Sequence, residues 1–114
     1  MTTCNPGDVV EVPFPFVVRP VKKRRPALVL SDREFAEETG VIVLTMITSA
    51  KRSSWKSDIA LMEWSAAGLR APSVVRWKVF SIDSTLILNR RGCLSSVDMN
   101  AVAEGFQSRF GAWA

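Results

Sequence analysis

The chain contains no histidine. No site in it can use an imidazole as acid or base, and the usual zinc constellations are excluded. Cysteine is scarce: Cys4 and Cys93 stand far apart at no metal-ligand spacing, and a reducing compartment favours buried thiols over a disulfide between them. No apolar run approaches the roughly 18 residues a membrane span needs. The start, Met1-Thr2-Thr3-Cys4, lacks the basic and apolar regions of a signal peptide. Internal repeats, low-complexity tracts and linkers are missing as well. The expectation is a single domain, residues 1–114, that works in the cytoplasm, off the membrane and without a cofactor.

Apolar residues make up 47% of the chain, which is enough for a packed core and too much for disorder. The formal charge of +4 favours acidic partners without naming one. Its distribution says more. Arg19, Lys22, Lys23, Arg24, Arg25 and Arg33 oppose a single Asp32; Lys51, Arg52 and Lys56 form a second cluster; Arg76, Lys78, Arg90 and Arg91 form a third. Any one of these serves equally well as a solvated loop that keeps a protein soluble. Three of them flanking expected strands point to a polyanion.

Most of the chain reads as short strands. Asp8 to Phe14 alternates, with Val10, Val12 and Phe14 on one face and Val9, Glu11 and Pro13 on the other. Pro13 and Pro15 withhold backbone donors, so the end of this strand is an edge or leaves the sheet. After a basic loop through Lys22-Lys23-Arg24, the nearly all-apolar Pro26 to Ser31 is expected as a strand buried on both faces. Asp32 to Thr39 has room for one helical turn. The β-branched run Val41 to Ser49 is a central strand. Trp55 to Leu61 is expected as another strand, Glu63 to Leu69 as a short helix closed at Gly68, and Ser73 to Asp83 as a strand. Thr85 to Leu88 and Gly92 to Leu94 suggest a hairpin around Asn89-Arg90-Arg91-Gly92. In the tail, Ser95 and Asp98 form a Ser-x-x-Asp capping pattern. Met99, Val102, Phe106 and Phe110 then recur at helical spacing as one stripe expected to pack on the strands. About six strands and one terminal helix predict a mainly β fold, a small closed or half-closed antiparallel barrel.

Arg25-Pro26 stands at the mouth of the buried second strand, where the proline gives the arginine a rigid base. Its guanidinium offers a planar fork suited to phosphate. Thr48-Ser49 ends the third strand. With sequential strands adjacent, Arg25 and Thr48 meet at one edge and converge on one phosphate; the alternative is a surface arginine beside a β-forming threonine. Arg76 and Lys78 share a face opposite Trp77, and Trp55 lies among Lys51, Arg52 and Lys56. Cations beside ring faces suit the backbone and unstacked bases of a single-stranded nucleic acid. Either tryptophan serves equally well in a core or an interface.

Gly7-Asp8-Val9-Val10 with Pro13-Phe14, then Arg24-Arg25-Pro26-Ala27-Leu28-Val29-Leu30-Ser31, carry a resemblance to the PemK/MazF-like toxins of bacterial type II toxin–antitoxin systems. The strand ending Thr48-Ser49, Trp64 to Gly68, Pro72-Ser73-Val74-Val75-Arg76 and Gly92-Cys93-Leu94 continue it, so that it spans Pro6 to Phe106. The resemblance implies an SH3-like antiparallel barrel of the MazF/CcdB-like toxin fold with a C-terminal α-helix, a homodimer, and metal-independent, sequence-specific cleavage of single-stranded RNA. It implies catalytic roles for Arg25, Thr48 and Arg76 and a cognate antitoxin; the basic clusters and the ring beside them make Lys23, Arg24, Ser49, Lys51, Arg52, Trp55 and Lys78 the expected RNA contacts and a disordered acidic tail the expected inhibitory segment of that antitoxin. One departure stands out: some relatives carry an aspartate where this chain has Lys78, and Glu11 and Asp83 are the nearest substitutes for its acid–base role. Two alternatives stay open. One is a non-enzymatic toxin of the same fold that poisons DNA gyrase, motivated by the terminal Phe110-Gly111-Ala112-Trp113. The other is an RNA-binding relative that has lost catalysis, motivated by Lys78.

Overall fold

Alternation sets the first strand. In β1 (Asp8–Phe14), Val9 enters one apolar cluster and Val10 and Val12 enter a second, as strand geometry requires when both faces are covered. The computed structural model describes residues 4–14 and 23–111; Pro15, Arg19, Lys22 and Ala112-Trp113 lie outside them. β2 (Lys23–Val29) begins earlier than its apolar run. Lys23, Arg24 and Arg25 are laddered to Phe14, Pro13 and Val12 and stand in a strand, not a loop. Ala27, Leu28 and Val29 are all buried, Leu28 in the first cluster and the other two in the second.

The remaining strands are β3 (Val41–Ser49), β4 (Ile59–Ala60), β5 (Ser73–Asp83) and β6 (Asn89–Cys93). They form one sheet in the order β4-β5-β3-β2-β1-β6, every neighbour antiparallel. The sheet curls into a half-barrel with a C-terminal helix, the expected mainly β architecture. Helix α1 (Arg33–Thr39) runs from an N-cap at Asp32, whose carboxylate accepts from the Phe35 amide at 2.8 Å, to Gly40 at φ 74°.

Three local expectations fail for identifiable reasons. Asn89–Cys93 does not form a hairpin with the preceding segment but crosses to the free edge of β1. The preceding segment instead makes a 3-10 turn (Ser84–Leu86), capped by Asp83, whose carboxylate accepts from the Thr85 amide at 2.9 Å and hydroxyl at 2.7 Å. Those two bonds, the amide's first, hold the Asp83 carboxyl below its usual range. Between Trp55 and Leu61 only Ile59–Ala60 is laddered, because the Asp58 amide bonds back to the Trp55 carbonyl in a turn. Residues 63 to 69 form turns from the Trp64 and Ser65 carbonyls, ended by Gly68 at φ 81°, and no helix.

Those turns close the sheet. A Cβ on Gly92 would lie 2.8 Å from the Ala67 carbonyl oxygen, and one on Gly68 would collide with the carbonyl of Arg91. The segment leaving the β4 edge therefore lies backbone to backbone against β6 at the opposite edge. Helix α2 (Ser96–Phe110) braces it. Ser95 caps the helix as expected, accepting from the Asp98 amide at 3.3 Å. The Asp98 carboxylate, fully buried, turns away and accepts from the Met62 and Glu63 amides at 2.8 and 2.9 Å.

The stripe on α2 packs only in part. Val102 is buried, but Met99, Phe106 and Phe110 remain 41%, 41% and 36% exposed. Phe106 and Phe110 meet the buried Trp77 edge to face at 5.9 and 5.8 Å. They also border an apolar groove of about 660 Å³ floored by Leu28, Leu30 and Val43 and walled by Phe35 of α1. Of the two cysteines, Cys4 is buried and Cys93 is exposed, which corrects the expectation that both are buried.

Candidate active site

Strand register brings the three expected catalytic residues to one face. Ala27 of β2 lies opposite Met46 of β3; Arg25 and Thr48 each stand two residues beyond that last laddered pair, toward the same end of the two strands. Arg76 of β5 is also opposite Met46 and shares the face. Arg25 and Thr48 line one pocket of about 210 Å³ with Pro26, Ile47 and Ser49. Arg52, Arg70 and Arg91 line it too, and no carboxylate does. Four arginine residues around so small a space favour an anion.

Arg25 is held without being satisfied. Its guanidinium lies 5.2 Å from the centre of the Phe14 ring, and its Nε is buried with no hydrogen-bond partner among the described residues. A buried donor left unpaired costs about 1–3 kcal/mol.

Arg76 does not line the pocket. Its guanidinium stacks 4.6 Å from the centre of the Trp55 ring and donates to Ser53 Oγ from Nε at 3.2 Å and Nη2 at 2.8 Å. A bulge lies beside it, where Trp77 and Lys78 fall between the partners of Met46 and Thr45. The buried Thr45 hydroxyl donates to the Arg76 carbonyl there. The bulge leaves Lys78 exposed while Trp77 is buried under α2. Trp77 therefore offers no ring face to a base, whereas Trp55, 44% exposed, does.

The other expected contacts scatter around this centre. Lys23 is exposed at the start of β2, and Arg24, exposed on the face opposite Arg25, pairs with Glu11 at 3.6 Å. Ser49 and Arg52 are in the pocket; Lys51 is exposed in the turn beside it. Of the two carboxylates considered for acid–base work, Glu11 is shared between Arg24 and Arg91, at 3.8 Å from the latter. Asp83 caps its turn at the end of β5 opposite Val41, far from the end that meets Thr48. Neither reaches the pocket. Sequence reasoning missed Arg70 and Arg91 as lining residues, and Ser53 and Asp58 behind Arg76. Asp58 did carry a signal, as the one acid in the basic stretch Lys51 to Met62. Among the described residues, no three His, Cys, Asp or Glu side chains are placed to hold a metal ion. No helix is long and apolar enough to cross a membrane.

The sequence pattern of the family described as PemK-like, MazF-like toxin of type II toxin-antitoxin system matches residues 5–110. The chain belongs to that family. Solved structures agree with this MazF-like fold at low sequence identity. A MazE-MazF structure from Deinococcus radiodurans superimposes with a TM-score of 0.76 at 20% identity, over 98% of this chain and 100% of the other. An endoribonuclease in complex with its cognate antitoxin, from a Mycobacterial species, gives 0.74 at 13% identity with both chains fully covered. The Mycobacterium tuberculosis toxin MazF-mt6 gives 0.73 at 19% identity, over 93% and 99%. No curated protein matches the chain. At these identities the likeness to solved structures is one of fold, and the family assignment rests on the match to residues 5–110.

Proposed function

We propose that this MazF-like toxin is a sequence-specific endoribonuclease that cuts single-stranded mRNA without a metal ion and so inhibits translation and growth. The observation that carries the reading is the pocket that Arg25 and Thr48 share, lined by four arginines and no acidic residue. RNA brings its own nucleophile. The ribose 2′-oxygen attacks the adjacent phosphorus in line with the departing 5′-oxygen. The new O–P bond closes a 2′,3′-cyclic phosphate as the P–O5′ bond breaks; the 2′-hydroxyl gives up a proton and the 5′-oxygen takes one up. Arg25 stabilises charge on the phosphate oxygens, with the Thr48 hydroxyl as a further donor and Arg76 from the adjoining strand. A guanidinium stays charged at neutral pH, so charge stabilisation suits Arg25 better than proton transfer. DNA, lacking the 2′-hydroxyl, is not a substrate by this route.

Around that centre, Lys23, Ser49, Lys51, Arg52 and Lys78 hold the RNA backbone, and Trp55 offers a ring to an unstacked base; Arg24, on the opposite face and paired with Glu11, does not join them. The protein acts in the cytoplasm as a homodimer, and an antitoxin with a disordered acidic tail silences it by covering the same basic surface. Solved relatives in complex with cognate antitoxins support an antitoxin as partner. Incubating the purified protein with a long RNA in EDTA is the test. Cleavage leaving 2′,3′-cyclic phosphate ends is expected. Binding without cleavage would mark a catalytically inactive relative, and inhibition of DNA gyrase with no effect on RNA would mark the non-enzymatic alternative.

A further inference from the structure

The loop between β3 and β4 closes on Arg76 through a chain of bonds with a single polarity. Arg76 donates twice to Ser53 Oγ. The Ser53 hydroxyl donates its one proton to Asp58 Oδ2, which also accepts from the Trp55 amide at 3.2 Å. The Trp55 ring lies against the same guanidinium, and the turn is locked by the Asp58 amide donating to the Trp55 carbonyl at 3.1 Å. The second carboxylate oxygen, Oδ1, is buried with no donor among the described residues.

We propose that Asp58 is the positioning residue for Arg76, acting through Ser53 to fix the guanidinium against Trp55 and to hold the loop bearing Lys51 and Arg52 against β5. The argument rests on hydroxyl bookkeeping. A serine has one proton and two lone pairs. With the proton committed to an acceptor-only carboxylate, both lone pairs face the two guanidinium N–H groups. An asparagine at position 58 presents N–H donors as well as an oxygen, so the Ser53 hydroxyl can reverse and turn its proton on Arg76. The carboxylate also supplies a negative charge behind the cation, which a neutral amide does not. An unclamped arginine side chain samples many rotamers, and a charge out of place by an ångström contributes far less to a transition state. This role rests on the endoribonuclease reading; the clamp itself does not.

Asp58→Asn and Ser53→Ala, each alone and together, provide the test, read in two ways. The first readout is independent of activity: the Nε–H proton of Arg76 in the NMR spectrum, slow to exchange with water in the wild type and fast in either variant. The second is RNA cleavage, where kcat falls roughly 10–100-fold with KM within about threefold, and the double variant is no worse than the worse single. An Arg76 Nε–H as protected in Asp58→Asn as in wild type overturns the clamp. So does loss of that protection with kcat unchanged, since Arg76 then needs no positioning. Should wild-type protein fail to cut RNA, the functional reading falls and the exchange measurement alone decides whether Asp58 sets Arg76. Ser53→Ala removes a single oxygen and keeps the test alive if Asp58→Asn does not fold.

Discussion

The groove beside α2 encloses about 660 Å³, some three times the pocket at Arg25 and Thr48, about 210 Å³, yet among the described residues Ser31 is the one polar side chain lining it. The two hollows have different origins. The groove exists because a single helix with an incompletely packed stripe spans a curled sheet, leaving Met99, Phe106 and Phe110 partly in water. The pocket exists because the adjacent strands β2 and β3 bring an arginine and a threonine to one hollow, and Arg52 and Arg70 from loops and Arg91 from β6 add three more arginines. Volume here follows from packing, chemistry from strand register.

Substitutions on the two sides should separate cleanly. Arg25→Ala is expected to lower RNA cleavage by about 10²–10³-fold, the usual scale for one lost charge-stabilising donor, with the far-UV circular dichroism unchanged. Wild-type rates from a folded Arg25→Ala protein would dissolve the distinction. Phe106→Ser should do the reverse: a loss of about 1–2 kcal/mol in urea unfolding, from its contacts to Trp77 and Phe110, with cleavage within about twofold of wild type. A large rate loss there would tie the groove to the reaction. Lys78→Ala tests how far the basic surface extends beyond the pocket. One lost phosphate contact should weaken single-stranded RNA binding a few-fold and flatten the log–log salt slope by about 0.7.

The smallest effect concerns the cysteines. Burial first, and Asp8 second, push the Cys4 thiol above its ordinary value of 9.0, with Arg90 opposing them. The folded state thus holds that proton more tightly than the unfolded chain. The contribution to stability is complete below about pH 9, the unfolded value, and is lost as pH rises through the higher folded value. In alkylation at pH 8, Cys93 should react first and Cys4 only as the protein opens; equal rates would show that β1 and β6 do not shield Cys4.

Much of this was readable in the sequence where the deciding interactions are local. The β-branched run of β3 admits one structure, Ser95 caps its helix as its spacing demands, and the Arg25–Thr48 pairing follows from two consecutive strands. The parts that escaped depend on partners far along the chain. Asn89-Arg90-Arg91-Gly92 has the composition of a turn, yet the open edge of β1, some eighty residues upstream, recruits it as a strand. Trp77 alternates correctly with Arg76 and Lys78, but only the arrival of α2 decides that its face is covered. The clamp on Arg76 requires a loop to fold back onto a bulged strand, and neither periodicity nor spacing encodes that contact.

The glycine seam between residues 67–68 and 91–92 has a consequence for the protein's life in a crowded solution. An open sheet has two edges, and bare edges recruit strands from other chains. One edge here ends in a strand of only two residues, Ile59–Ala60, too short to template much. The other, β6, has Ala67 and Gly68 pressed onto it so closely that not even a methyl group fits between. A side chain at Gly92 would lever that cover away, and the damage would surface as self-association through an uncapped edge.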